Sequence, residues 1–395
     1  MNQPVRVLYS YPNRLGAQRI CYIAWQQING LVAAGAEVTA FPGSLKRPLP
    51  DNVPVRPTLA WGKVKLPFRL LGQARTWALH DRIVASRLKK LRGKIDVVHT
   101  WPMGALHTLK AARAMNIPTI LERPNAHTRF AYEVVAQECQ LLGITMPPGH
   151  EHAYNEAYLR YEEVEYALAD RLVCPSDFVA KTFAERGFPA EKLARHQYGF
   201  DDKLFHAGQQ KAEPGRGLTM IFVGGCAPRK GLHYALDAWL KSSAHERGTF
   251  LIAGEFIPGY AEKLSVQLAH PSVKVLGYRK DVADLMRQSD LFVLPSIEEG
   301  SALVTSEARG SGCVILVSEA TGAICQHMEN ALVHKVRDTT ALTEHLNLLD
   351  KDRNLYHRLR TKSLATTQAL TWTSAGVKLL EVYRQAIASR PSPSN

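Results

Sequence analysis

The sequence predicts an α/β protein made of two doubly wound domains, each with a parallel sheet covered by helices. Short runs of β-branched and aromatic residues alternate with longer stretches of helical period, which is the pattern of repeated β–α–β units. The alternation stops at 198–217, a polar stretch that contains glycines and Pro214, and then restarts. With 395 residues, 46% hydrophobic and 22% charged, the chain is long enough to bury two cores.

Each predicted element rests on hydrophobic periodicity and on the residues that bound it, such as Gly35 after helix 17–34. In the first half the predicted strands are 5–10, 37–41, 97–100, 118–122 and 171–174, and the helices are 17–34, 73–91, 104–115, 154–168 and 177–185, with a proline-rich loop at 42–57. In the second half the strands are 219–223, 250–253, 273–276, 291–294 and 314–317, and the helices are 232–241, 261–268, 282–288, 302–311, 340–349 and 374–388, with a frayed tail at 390–395.

The termini and cysteines predict a cytoplasmic protein. The first strand starts a few residues after Met1, which leaves no room for a signal peptide, and no apolar run approaches the length of a bilayer span. The six cysteines are scattered without a CxxC pair, as reduced structural thiols are.

The excess positive charge is concentrated in segment 44–94. This segment has a balance of +11, whereas the other residues together have a balance of +2. Because it also carries aromatic and leucine side chains, it predicts peripheral contact with an anionic membrane surface. The alternative is a solvated helical face beside an ordinary loop. Nucleic acid is a weaker candidate, since no zinc knuckle, RNA-binding aromatic motif or basic heptad array is present. The side chains in question are Trp61, Phe68, Leu70, Leu71 and Trp77.

The most informative stretch is 290–317. It predicts a buried strand, a turn, a short helix and another buried strand, with Glu299 in the turn and Glu307 in the helix. Ligands bind open α/β sheets at the carboxyl ends of the strands, and helix N-termini attract phosphate. The stretch therefore predicts a ligand with hydroxyl-rich sugar parts and phosphates. For Glu307 the alternative is a solvated helix residue.

A second site signal follows the first strand of the second half. That strand ends at Gly224 and Gly225, and Arg229 and Lys230 follow before a helix. Glycines let the backbone approach a ligand, and paired cations can neutralise a diphosphate. The pattern alone is weak, because a solvated loop would also explain it. Combined with the two glutamates in the same domain, it becomes specific.

These motifs together resemble the retaining glycosyltransferases of family 4, which have the GT-B fold. The resemblance rests on Arg-Lys-Gly-Leu at 229–232 and on Pro-Ser-x-x-Glu-Gly at 295–300 with a glutamate eight positions after Glu299. Supporting motifs lie at 96–100, 165–176, 198–205 and 371–373. It implies two Rossmann-like domains facing a central cleft: an acceptor domain at 1–200, a nucleotide-sugar donor domain at 201–373, and a terminal helix at 374–395 that packs back on the first domain.

The resemblance also implies a role for each site residue. Arg229 and Lys230 would hold the donor diphosphate and stabilise its charge as it leaves. Glu299 would accept hydrogen bonds from sugar hydroxyls, and Glu307 from the ribose, while Glu298 is out of the family spacing and is expected to be a surface or secondary carboxylate. Further donor-binding residues would be Gly16, Gly224, Gly225, Gly300, Ser301, Ala302 and Leu303.

His127 would lie near the donor sugar by the same resemblance, as a catalytic residue facing the cleft. The alternative is a hydrogen-bonded structural histidine, and Arg123 and Asn125 are weaker candidates of the same kind. Two departures from the family pattern affect the donor pocket. Only Gly16 remains of the usual glycine pair in the first loop, and 300–303 reads Gly-Ser-Ala-Leu where Gly-Phe-Gly-Leu is common.

The resulting expectation is a retaining hexosyltransferase that moves a sugar from a nucleotide-diphosphate sugar to a glycan or lipid-linked acceptor in envelope polysaccharide, lipopolysaccharide or glycolipid synthesis. We expect no metal and no other cofactor, because Asp350-x-Asp352 suits a turn and His150-x-His152 offers two ligands without a third. The alternatives are a soluble disaccharide synthase or phosphorylase on the same fold, and a non-catalytic nucleotide-sugar-binding protein.

Overall fold

A computed structural model describes residues 3–61, 64–65, 72–147, 149–208 and 216–390. The strands are β1 Arg6–Leu15, β2 Glu37–Leu45, β3 Ala60–Trp61, β4 Val64–Lys65, β5 Val97–Thr100, β6 Thr119–Glu122, β7 Arg171–Cys174, β8 Leu193–Arg195, β9 Thr219–Val223, β10 Thr249–Ala253, β11 Val273–Gly277, β12 Leu291–Leu294, β13 Val314–Ser318 and β14 Leu332–His334. The α-helices are α1 Ile20–Ala33, α2 Gln73–Lys89, α3 Leu106–Ala114, α4 Thr128–Leu142, α5 Glu156–Leu168, α6 Asp177–Ala184, α7 Leu232–Lys241, α8 Tyr260–Lys263, α9 Ser265–Leu268, α10 Val282–Gln288, α11 Leu303–Gly310, α12 Thr339–Lys351, α13 Arg353–Ala365 and α14 Trp372–Ala388.

The chain forms two compact units, and each is built around a six-stranded parallel sheet. This confirms the predicted doubly wound α/β fold. The first unit comprises Met1–Pro124, Asn155–Tyr198 and Trp372–Asn395, and the second comprises Asn125–Tyr154 and Gly199–Thr371. The segment Asn125–Tyr154, which our sequence division assigned to the first domain, thus groups with the second unit.

The sheet of the first unit has the strand order β2-β1-β5-β6-β7-β8. Its first two strands are longer than predicted, because β1 continues through the expected first loop and β2 through part of the expected proline-rich loop. Leu15 still pairs with Leu45, after an irregularity that follows Tyr11. Gly43 permits this extension, since a Cβ there would lie 2.3 Å from the main-chain oxygen of Pro12.

Helix α14 packs against α1 inside the first unit. The two helices meet at glycines: a Cβ on Gly376 would lie 2.2 Å from the oxygen of Gly30. Helix α2 has the predicted amphipathic pattern, because Trp77, Val84 and Leu88 are buried. The basic side chains of its other face, Arg75, Arg82 and Lys89, are exposed. The predicted membrane-contact residues Phe68, Leu70 and Leu71 lie outside the described residues, as do 209–215 and 391–395.

The sheet of the second unit has the order β11-β10-β9-β12-β13-β14. Strand order reverses between β9 and β12, which pair in parallel. The helices that follow these two strands therefore lie on opposite faces of the sheet, and the loops that lead to them border the switch point. All four residues of β12 and all five of β13 are buried. The sheet therefore holds the ends of β9 and β12 rigidly at its switch point.

Two helices of the second unit were not predicted from the sequence, α4 and α13. Helix α4 begins after His127 and ends at Gly143, which has a left-handed φ of 60°. Helix α13 begins after Asp352, whose carboxylate accepts from the amide of Leu355 at 2.9 Å. Asp350 accepts from Ser243 Oγ at 3.0 Å. The two aspartates thus serve as a helix cap and a structural acceptor rather than as a solvated turn.

Among the described helices, none combines the length and the apolar character that crossing a bilayer requires.

Candidate functional site at the strand-order reversal

The two loops at the switch point of the second unit are joined through Gly231. Arg229 and Lys230 lie on a single 3-10 turn that Gly231 closes with a φ of 68°. A Cβ on Gly231 would lie 2.0 Å from the oxygen of Pro295, and the amide of Ile297 donates to the oxygen of Arg229 at 2.9 Å. Only glycine permits both this backbone conformation and this approach. The cations are therefore fixed beside the loop that carries the glutamates.

Gly224 and Gly225 differ in what they contribute. Gly224 has a φ of 148°, which disfavours any other residue. A Cβ on Gly225 would meet no heavy atom of the described chain within 4 Å, so this backbone borders open space. A ligand can therefore approach the main chain at Gly225, as the sequence predicts.

The buried Glu299 and the half-buried Arg229 and Lys230 form an ion cluster, so the structure brings the predicted residues together. Nη1 of Arg229 lies 3.1 Å from Oε2 of Glu299. Nζ of Lys230 bonds the other carboxylate oxygen, Oε1, which Ser296 Oγ also approaches at 3.4 Å. Within the described ranges, the hydrogen bonds of Arg229 all run through Nη1. Its remaining N–H groups can serve a ligand.

Opposite charges decide the protonation of this cluster. Burial alone would raise the pKa of Glu299, but the positive charges of Arg229 and Lys230 outweigh burial and lower it to about 2. Burial lowers the pKa of Lys230, and Glu299 opposes that effect. Glu299 is therefore ionised at neutral pH, and a buried carboxylate with two cationic partners is a strong acceptor for hydroxyl groups.

Of the two roles expected for Glu298, a surface or a secondary carboxylate, burial excludes the first. Its side chain is 0% exposed, and its Oε2 lies 3.3 Å from Nη1 of Arg229. Its Oε1 lies 3.4 Å from the amide of Ala126. Burial raises the pKa of Glu298, and the nearby Arg229 counteracts this. Consecutive glutamates in a loop have no periodicity, so the sequence offered no signal that Glu298 is the more buried of the two.

Glu307 lies in α11, and its carboxylate has no hydrogen-bond partner in the part of the chain that the structure describes. Burial, together with the negative charge of Asp201, raises the pKa of Glu307 to about 7. A half-buried, unpaired carboxylate is a costly arrangement unless a ligand donates hydrogen bonds to it. This favours a ligand role over the solvated helix residue.

Not all of the main-chain amides that were predicted to bind the donor before α11 are free to bind a ligand. Helix α11 has no side-chain cap, and the first amides of a helix lack partners within the helix. The amide of Ala302, however, donates to the oxygen of Thr321 at 3.1 Å. Anion binding at this helix would therefore rely on amides such as those of Ser301 and Leu303.

His127 begins α4 in the second unit. It is 3% exposed, and its Nδ1 accepts from the amide of Arg129 at 3.3 Å, so it caps the helix. A place near a donor sugar stays a prediction for this residue. Asn125, the weaker candidate beside it, is exposed.

Two other candidates, Arg123 and Gly16, lie in the first unit and make polar contacts with other residues of that unit. Arg123 is buried, 3.0 Å from Oε1 of Glu162 and 4.2 Å from the ring centroid of Tyr166. Gly16 donates its amide to the oxygen of Cys21 at 2.9 Å and accepts from Nε of Arg47 at 3.0 Å. The main-chain groups of Gly16 are thus paired within the protein, and its donor-binding role stays a prediction.

Two family models match this chain. The family model for "Glycosyl transferases group 1" matches residues 217–352, and that for "Glycosyltransferase Family 4" matches residues 23–203. The first match contains the ion cluster and Glu307, and together the two matches cover most of both units.

Individual proteins similar to this chain have low sequence identity to it or match only part of it. An N,N'-diacetylbacillosaminyl-diphospho-undecaprenol alpha-1,3-N-acetylgalactosaminyltransferase of Campylobacter jejuni is 35% identical over 121 residues, 29% of this chain and 31% of that protein. The chain thus matches about a third of the length of this relative. A D-inositol 3-phosphate glycosyltransferase of Catenulispora acidiphila is 25% identical over 370 residues, 85% of this chain and 80% of that protein.

Among solved structures, HepE of Anabaena in complex with UDP has a TM-score of 0.66 at 16% identity and covers 96% of this chain and 100% of that chain. This likeness shows the fold. Since both family models and the fold agree, the chain belongs to the family 4, or group 1, glycosyltransferases and has their GT-B fold.

Proposed function

We propose that the protein transfers a sugar from a nucleotide-diphosphate sugar to an acceptor hydroxyl, with retention at the anomeric carbon and without a metal ion. The observation that carries this proposal is the ion cluster of Arg229, Lys230 and the buried Glu299 at the switch point of the second sheet. Its two cations suit a diphosphate, and its carboxylate suits sugar hydroxyls. HepE, whose structure contains UDP, supports a nucleotide in this fold.

In the proposed reaction the bond between the anomeric carbon and the diphosphate oxygen breaks, and the electron pair leaves with the diphosphate. Arg229 and Lys230 stabilise the negative charge that develops there, which is a role that a divalent cation has in other enzymes. The acceptor oxygen then bonds to the anomeric carbon on the face from which the diphosphate left. Its proton passes to the leaving diphosphate oxygen.

The ion cluster argues for front-face attack rather than a covalent intermediate. A nucleophilic carboxylate needs an unpaired oxygen directed at the anomeric carbon. Both oxygens of Glu299 are paired, one with Lys230 and one with Arg229. Burial raises the pKa of Glu298, which disfavours its anionic form. Neither glutamate is therefore suited to form a glycosyl ester.

Donor binding gives the direct test of this proposal. We expect one class of nucleotide sugar among the UDP, GDP and ADP sugars to raise the melting temperature in the presence of EDTA, because a ligand that binds the folded protein stabilises it by mass action. A concentration of 100 times Kd corresponds to about 2.7 kcal/mol. No shift with any of the three classes would contradict the proposal, and a shift that requires Mg²⁺ would contradict its metal-free part.

We infer that the acceptor is lipid-linked and reaches the first unit at a membrane surface. The Campylobacter relative is named for a diphospho-undecaprenol acceptor, and the basic side of α2 provides exposed positive charge. Trp77 is buried and so does not contribute to such a surface. This proposal therefore relies on charge alone, and such contact is expected to be salt-sensitive and peripheral to the cytoplasmic membrane face.

Neutralising the basic side of α2 should weaken binding to vesicles of phosphatidylglycerol and phosphatidylcholine at least about 100-fold, since each cation near an anionic surface contributes about 1 kcal/mol. Vesicle co-sedimentation at low and high salt measures this. The variant changes Arg75, Arg82, Lys89 and Lys90 to glutamine. A control with the same charge change in the second unit replaces Lys274, Lys280, Lys335 and Lys351, which are exposed.

Equal binding of the two variants would rule out a membrane role for the basic side of α2. It would favour the second candidate, transfer to a water-soluble acceptor, which the name of the Catenulispora relative supports. Donor binding without turnover on either kind of acceptor would instead favour a non-catalytic nucleotide-sugar-binding protein.

A further inference from the structure

The segment that follows α4 lies against the loop that carries Glu298 and Glu299. Ile144 is buried in the main core of the second unit. Met146 packs against a small apolar cluster that contains Ile297, the residue just before the two glutamates. These two anchors hold the segment beside the ion cluster, although the segment has no periodicity that would indicate a site in the sequence.

His152 in this segment is a buried imidazole with an unused nitrogen. The residue is 8% exposed, and its Nε2 has no hydrogen-bond partner among the described residues. Oε1 of the exposed Glu151 side chain lies 3.6 Å from this nitrogen, which is beyond hydrogen-bond distance. A buried polar atom without a partner is unfavourable, and a hydrogen bond to a ligand atom would remove that cost.

The charges around His152 indicate which ligand atom this is. Burial and then the positive charge of Arg229 lower the pKa of His152 to about 2, and Lys230 acts in the same direction. The imidazole is thus neutral and lies within electrostatic reach of both cations. Glu299 acts in the opposite direction, so all three members of the ion cluster influence this ring. A neutral imidazole with its proton on Nε2 can donate to a phosphate oxygen.

We propose that Nε2 of His152 donates a hydrogen bond to the donor diphosphate, as a third ligand beside Arg229 and Lys230. This inference rests on the proposed function of the cluster. Its geometrical basis is the unpartnered nitrogen, the burial of the ring, and the packing of Met146 on the apolar cluster that contains Ile297. Neither a metal site nor a structural hydrogen bond explains the residue, since no three metal-ligating side chains converge within the described ranges.

The test compares His152→Leu, which removes the nitrogen, with His152→Gln, whose amide can reach a similar position. UDP, GDP and ADP are titrated by calorimetry, with uridine, guanosine and adenosine as phosphate-free probes. We expect His152→Leu to raise the Kd of the bound nucleoside diphosphate about 10-fold, as one lost hydrogen bond to a charged group predicts. The nucleoside Kd should not change, and His152→Gln should stay within about threefold of the natural protein.

His334→Leu is the matched control, because His334 is also buried and unpartnered but lies on the edge strand β14. It should leave both affinities unchanged. An unchanged diphosphate Kd in His152→Leu, or an equal loss for nucleoside and diphosphate, would overturn the role of His152 while leaving the proposed function intact. Failure of the unsubstituted protein to bind any of the three diphosphates would overturn both.

Discussion

Replacing Lys230 by methionine should lower the turnover number for sugar transfer about 100- to 1,000-fold, which is the usual effect of removing one donor that stabilises transition-state charge. Lys230 contributes a positive charge where the diphosphate leaves, and methionine fills similar volume without that charge. The effect should fall on kcat more than on KM, because the charge on the leaving group is greatest in the transition state.

The variant should still fold. Glu299 keeps Arg229 as a partner at 3.1 Å, so the substitution does not leave an unpaired buried carboxylate. Lys241→Met is the control, because Lys241 is an exposed lysine of the same unit, paired with Asp237 at 2.8 Å. Its turnover should match that of the unsubstituted protein. If Lys230→Met retains a kcat within about threefold of that value, the cluster does not stabilise the leaving group.

Glu307→Gln should make the protein more stable but weaken donor binding. Burial raises the pKa of Glu307 from 4.5 to about 7. Below pH 4.5 the carboxyl is neutral in both states, and between 4.5 and 7 the unfolded chain ionises first. This group therefore lowers the free energy of unfolding as the pH rises, and its full cost is present above pH 7.

At pH 8 the variant should exceed the unsubstituted protein by about 1–3 kcal/mol in free energy of unfolding, and the difference should vanish near pH 4. The Kd for the donor should rise about 10- to 100-fold, because a glutamine accepts hydroxyl hydrogen bonds more weakly than a carboxylate. Urea titrations across pH and calorimetry with the donor measure the two effects. Glu344→Gln, at an exposed position of α12, should change neither quantity.

A gain in stability without a loss of affinity would show that Glu307 is buried for another reason than ribose binding. A loss of affinity without a gain in stability would mean that its carboxyl has no elevated pKa in the free protein.

Much of the fold was predictable because periodicity and turn residues agree along the chain. The strand, turn, helix and strand predicted within 290–317 correspond to β12, the loop, α11 and β13. Helix α4 was not predicted because its buried face includes the charged residue Glu138, which interrupts the apolar periodicity. This carboxylate is bonded to His233 at 2.8 Å, Tyr234 at 2.6 Å and Arg337 at 2.7 Å, partners that are distant in sequence.

The site was predictable to the extent that each motif occupies one loop. Arg229, Lys230 and Glu299 could be assigned together because parallel strands bring their carboxyl ends to one edge. The burial of Glu298 and the position of His152 could not be predicted, because both depend on how segment 125–154 packs in the second unit. Gly16 was assigned through a family pattern that the sequence only partly retains, and its donor-binding role stays a prediction, although its main-chain groups are paired within the protein.

The most direct test is a crystal structure of the protein with the nucleoside diphosphate that gives the largest thermal shift. We predict that the diphosphate oxygens contact the side chains of Arg229 and Lys230 and that the ribose hydroxyls donate to Glu307. A nucleotide bound in the first unit, or one whose ribose lies away from Glu307, would contradict the assignment of the donor site to the switch point of the second sheet.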